Sequence, residues 1–124
     1  MQALFAPLTA LSIIAMLAIA PPATATSEGD AAPTTLKGEV IDTACYLGHG
    51  ARGDKHRQCA LNCLASGIPP SLLTDEGKLY LLLPPHGSHD AYDKVKGMAA
   101  QVVTVTGRLL SSGGLTALEV ASVE

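Results

Sequence analysis

The chain has 124 residues, a formal net charge of −3 and only 15% charged residues, with no Trp. Nucleic-acid binding calls for a basic stripe, and single strands call for stacking aromatics. Neither is present, because no basic block occurs and Phe5, Tyr46, Tyr80 and Tyr92 are the whole aromatic set; nucleic acid is therefore excluded as a partner.

The N-terminus reads as an export signal. An apolar run covers residues 8–20, Pro21 and Pro22 interrupt it, and Ala23 and Ala25 stand at the −3 and −1 positions of a cleavage site. An apolar stretch of this kind followed by A-x-A is the grammar of a signal peptide. The run is shorter than the roughly 20 residues a bilayer span needs, so no stable membrane span is expected after cleavage. The n-region carries no Lys or Arg, so the α-amino group is its only positive charge. The expectation is a signal peptide at 1–25, a flexible leader at 26–35 and one small domain at 36–124, exported to the periplasm or secreted. A core of that size is often reinforced by a disulfide or a metal.

Along the domain, residues 36–42 alternate at first between apolar and polar and predict a strand. Residues 43–53, with Gly48, Gly50 and Gly53, predict a loop. Asp54 suits an N-cap, 55–65 contains no breaker, and Gly67 with Pro69 and Pro70 ends the segment, so a short helix is predicted there. Residues 72–74 and 78–83 flank Asp75-Glu76-Gly77 and predict a hairpin. Ser88 starts a second short helix reaching about Lys96. Residues 101–110 and 115–123 are strands around Ser111-Ser112-Gly113-Gly114, with Val103, Val105 and Gly107 on one face of the first. The predicted fold is mainly β with two short helices. Five strands with a helix between the third and fourth give an OB-like barrel, with a helical Cys/His insertion between strands 1 and 2.

That insertion holds the chemistry. Cys45, His49, His56, Cys59 and Cys63 fall within nineteen residues. His56, Cys59 and Cys63 lie at i, i+3 and i+7 and share one face of the predicted helix, while Cys45 and His49 precede it on the Gly-rich segment. Thiolates with imidazole suit zinc, copper(I) and other thiophilic ions. The spacing is not that of a zinc finger or ribbon. Outside the cytoplasm, softness favours copper over zinc, with Cys45, Cys59, Cys63 and His56 as first ligands and His49 next.

Two other uses of the thiols stay open. Cys45 could form a disulfide with Cys59 or Cys63, which are the disulfide candidates; pairing Cys59 with Cys63 inside one helix would be strained. The alternative function is then a non-catalytic, disulfide-stapled binding or interaction module for an exported protein partner. Redox use is the other: Cys59 sits early in the helix beside Lys55, His56 and Arg57, surroundings that favour a thiolate. His86 and His89 read as exposed loop residues. Glu39 and Asp42 lie near Cys45 without forming a paired-carboxylate pattern. No nucleophile elbow, P-loop, dinucleotide motif or haem-attachment motif occurs, so a binding protein is expected rather than an enzyme.

The chain resembles a family of small secreted bacterial proteins. The likeness rests on Gly38-x-Val40-Ile41-Asp42-x-x-Cys45-Tyr46, His56-x-x-Cys59-Ala60-x-x-Cys63, Gly67-x-Pro69, Leu73-Thr74-Asp75-x-Gly77-x-Leu79-Tyr80 and Val103-x-Val105-x-Gly107. It implies an exported bacterial protein and carries no activity with it. More loosely, Cys59-x-x-x-Cys63 looks like the cysteine pair of Sco-type copper chaperones, without the thioredoxin-like surroundings of that family.

Overall fold

A computed structural model describes residues 32–124; the expected signal peptide lies outside the described residues. Strand β1 is Thr34–Asp42, β2 Pro70–Leu73, β3 Leu79–Leu83, β4 Val102–Ser112 and β5 Leu115–Val123. They close into one barrel in the order β1-β2-β3-β5-β4, with β4 returning to β1. All pairs are antiparallel except β3 with β5, which run parallel. Strand β1 begins two residues before position 36, because Thr34 and Thr35 pair with Gly107 and Thr106 on β4.

Three α-helices accompany the barrel rather than two: α1 at Thr43–His49, α2 at Arg57–Ala65 and α3 at Asp90–Lys96. A single 3₁₀ turn, Asp54–His56, leads into α2. The insertion between β1 and β2 is thus helical, as expected, but it holds two helices. The predicted loop at 43–53 is mostly α1. That helix is too short to show a hydrophobic period, and its caps define it instead. Asp42 accepts a hydrogen bond from the Cys45 amide at the N-terminus. Gly50, at φ 68°, closes the C-terminus and donates to the Cys45 and Tyr46 carbonyls, the left-handed stop that glycine adopts without steric cost.

The core follows the strand alternation. Val40, Leu72, Leu82, Val105, Leu118 and Val120 point into the barrel and are all but fully buried. Burying a side chain of this size contributes roughly 1.5–3 kcal/mol. Helix α2 adds Ala60 and Leu64 to the same cluster, and α3 adds Val95. Lys94 of α3 donates to the Val123 carbonyl at 3.1 Å, tying that helix to β5. Among the described residues no helix is long and apolar enough to cross a membrane.

Candidate metal centre

Packing of α2 sets the positions of the sulfurs. Ala60 and Leu64, one turn apart, face the core. Cys59 and Cys63 precede them by one residue each, so they line the neighbouring ridge of the same helix, at its edge with solvent. Cys63 is half-buried and Cys59 exposed. Cys45 reaches the same place from the first turn of α1, and its Sγ lies 4.0 Å from Cys63 Sγ. All three sulfurs lie within 4.8 Å of one another.

Asp42 anchors this arrangement to the barrel. It is the last residue of β1, it pairs with Pro70 of β2, and its side chain is completely buried. Next to it, Thr43 Oγ1 donates to the Pro69 carbonyl at 2.6 Å and sits 2.7 Å from the buried Ser71 hydroxyl. Oδ1 of Asp42 accepts from the Cys45 amide at 2.8 Å, and Oδ2 lies 3.1 Å from His56 Nε2. An ionised carboxylate only accepts hydrogen bonds, so Nε2 is the protonated ring nitrogen. His56 is itself placed by the 3₁₀ turn, where its amide donates to the Gly53 carbonyl at 2.9 Å, and Gly53 in turn donates to the Glu39 carboxylate. Asp42, Cys45 and His56 therefore form a second group whose ligand atoms also lie within 4.8 Å.

The electrostatics favour a charged Asp42 beside protonated thiols. Burial works to raise the Asp42 pKa, but hydrogen bonds from the Cys45 amide, the Cys45 thiol and His56, with the His56 charge, outweigh it. The carboxyl is held below its ordinary 3.8. The Cys45 thiol is pushed up to about 12, first by its hydrogen bond to Asp42 and then by burial. Burial likewise raises Cys63, against an opposing hydrogen bond from Cys45.

A depressed carboxyl pKa contributes stability in full above the unfolded chain's value and loses it as pH falls through the lower folded one. For Cys45 the sign reverses: an acid held protonated contributes below its ordinary 9.0, and the contribution is lost as pH rises toward about 12. Denaturant unfolding of the reduced, metal-free protein should therefore lose stability below about pH 4 and again above about pH 9. Asp42→Asn should flatten the acid arm; an unchanged acid arm would mean that Asp42 does not carry it.

Of the residues singled out in the sequence, Cys45, Cys59 and Cys63 come together, and His56 joins them through Asp42 and Cys45. His56 is not on the cysteine helix proper; it ends the 3₁₀ turn and stands at the N-cap of α2. His49 ends α1, is exposed and belongs to neither group. His86 and His89 are exposed and belong to neither group. The disulfide expectation is not met, because the cysteines are free. The Cys45 and Cys63 sulfurs are 4.0 Å apart, against about 2.05 Å for a bond. Asp42 is the residue that sequence reasoning passed over. Its signal was its place three residues before Cys45, the spacing at which an N-cap carboxylate meets a backbone amide.

No family model, curated protein or solved structure matches the chain.

Proposed function

We propose that the protein is an exported binder of a thiophilic metal ion, copper(I) in first place, held by Cys45, Cys59 and Cys63 at the rim of an OB-like barrel. The observation that carries this reading is the 4.0 Å separation of Cys45 and Cys63 sulfurs with Cys59 alongside. Three thiolates around one ion in a plane, with bonds of about 2.3 Å, lie ~4.0 Å apart. Thiolates select soft ions, and three-coordination suits copper(I) better than zinc, which takes four ligands. Export rests on the pattern of residues 1–25. The OB-like assignment is supported by the strand order, the parallel β3–β5 pair and α3 lying between β3 and β4.

The test is native and denaturing mass spectrometry of the mature protein, reduced and titrated anaerobically with copper(I). One ion should bind, be lost on denaturation and leave three free thiols. Failure to take up copper(I) would reject the reading. A species prepared without reductant that lacks two hydrogens and resists metal would support a stapled interaction module instead.

A further inference from the structure

The ligands named above do not converge on one point. They form two groups that meet only at Cys45: three sulfurs on one side, and Asp42 with His56 on the other. We propose that Asp42, Cys45 and His56 form a second ion position, for a borderline divalent ion of the zinc type, sharing the Cys45 thiolate with the trithiol position. The proposal deepens the metal-binding reading, on which it rests through Cys45.

The donor set differs in kind from its neighbour. One carboxylate oxygen, one thiolate and one imidazole nitrogen are all zinc ligands, whereas copper(I) favours the all-sulfur side. Spacing agrees as well. Asp42 Oδ2 and His56 Nε2 lie 3.1 Å apart, and two tetrahedral bonds of about 2.0–2.1 Å put their ligand atoms ~3.3 Å apart. An ion could thus occupy the place of the Nε2 hydrogen with little movement of either side chain.

The group is also held in advance. Asp42 is locked by the β1–β2 pairing, by its position as cap of α1 and by complete burial. Glu39 holds Gly53, and Gly53 holds the His56 amide. Outer partners of this kind orient the ligands of metal sites. A buried carboxylate is costly unless paired or bound to a metal, and the outer oxygen of Asp42 meets His56, itself a metal-ligand side chain. The His56 side chain is 20% exposed, which leaves an ion here a route to solvent and a fourth position for water. Three protein ligands with one open position mark an exchangeable site rather than a closed structural one.

Cobalt(II) is the probe, because a single thiolate ligand gives it a sulfur-to-metal charge-transfer band. The double variant Cys59→Ser/Cys63→Ser, which lacks the trithiol position, should still bind one cobalt(II) with that band. Adding His56→Gln to that double variant should weaken cobalt(II) binding at least about tenfold, in the range seen when a metal site loses a supporting group. In the unaltered protein, the His56 ring nitrogen resonances should shift when zinc is added, a readout that needs no variant. Unshifted His56 resonances, or loss of the cobalt band in the double variant, would overturn the second position and leave Asp42–His56 a plain ion pair. Failure of copper(I) uptake alone, with cobalt(II) retained, would sink the trithiol reading instead.

Discussion

Cys45→Ser is expected to lower metal affinity more than Cys59→Ser or Cys63→Ser. Cys45 is the one residue common to both ligand groups. Its loss also leaves only Cys59 and Cys63, which share one helix and cannot enclose an ion from two sides. Copper(I) accepts two ligands as well as three, so removing the exposed Cys59 should leave a weaker but working pair, Cys45 with Cys63. The expected order of damage is therefore Cys45, then Cys63, then Cys59. The loss at Cys45 should exceed the roughly 10–100-fold that changes to supporting groups produce. Competition titration of the reduced variants against a copper(I) chelator measures it. The cap on α1 survives in Cys45→Ser because Asp42 bonds the backbone amide, so a folding defect does not confuse the comparison. Equal losses at all three cysteines would reject the special place given to Cys45.

Gly107→Ala is expected to destabilise the barrel strongly. At Thr106/Gly107 the pairing of β4 with β5 shifts register, so that Thr106 faces Ser122 and Gly107 faces Val120. Ala121 is the extra residue of this bulge in β5. A Cβ at position 107 would lie 2.9 Å from the Glu119 carbonyl carbon and closer still to its oxygen. Carbon atoms in good contact stand about 3.5–4.0 Å apart, and the obstacle is backbone inside a closed barrel, which has no free edge to yield. Forcing extra atoms into packed positions costs about 1–3 kcal/mol and occasionally more. Gly107→Ala belongs at the upper end. For a domain of this size each kcal/mol lowers Tm by roughly 4–8 °C, so a fall of about 12–24 °C is expected. A melting temperature within a few degrees of the unaltered protein would show that β5 can flatten its bulge. Gly114→Ala, in the open turn, offers a control with strain from its φ of 81° but no clash.

The barrel was legible because its strands carry a period of two. Val103 and Val105 alternate with Thr104 and Thr106, and the structure buries the first pair and leaves the second half-buried. Turn chemistry was equally direct: Gly77 takes the positive φ that its hairpin turn calls for. Helix α1 was not legible as a helix. Seven residues show no period, and Gly48 and Gly50 speak for a loop until Asp42 is recognised as a cap. The same omission hid half of the site. The Cys/His pattern identified Cys45, Cys59 and Cys63 as partners, but spacing along one helix could not reveal that His56 turns toward Asp42 rather than toward Cys59. That follows from the 3₁₀ turn, which breaks the helical face between His56 and Cys59, and from the depth of Asp42 in the barrel wall.

The approach of Cys45 to Cys63 has a consequence for the insertion as a whole. These residues are 18 apart in sequence, and the segment between them includes the Gly50–Gly53 link, which belongs to no helix or strand. An ion gripping both sulfurs would act as a cross-link that closes a ring in the chain. Tying off a ring of about this length with a covalent bridge removes conformational freedom from the unfolded chain worth about 3 kcal/mol. Ion release would then return that freedom, so the charged and empty forms should differ most in the mobility of residues 46–62, while the barrel beneath them keeps one shape.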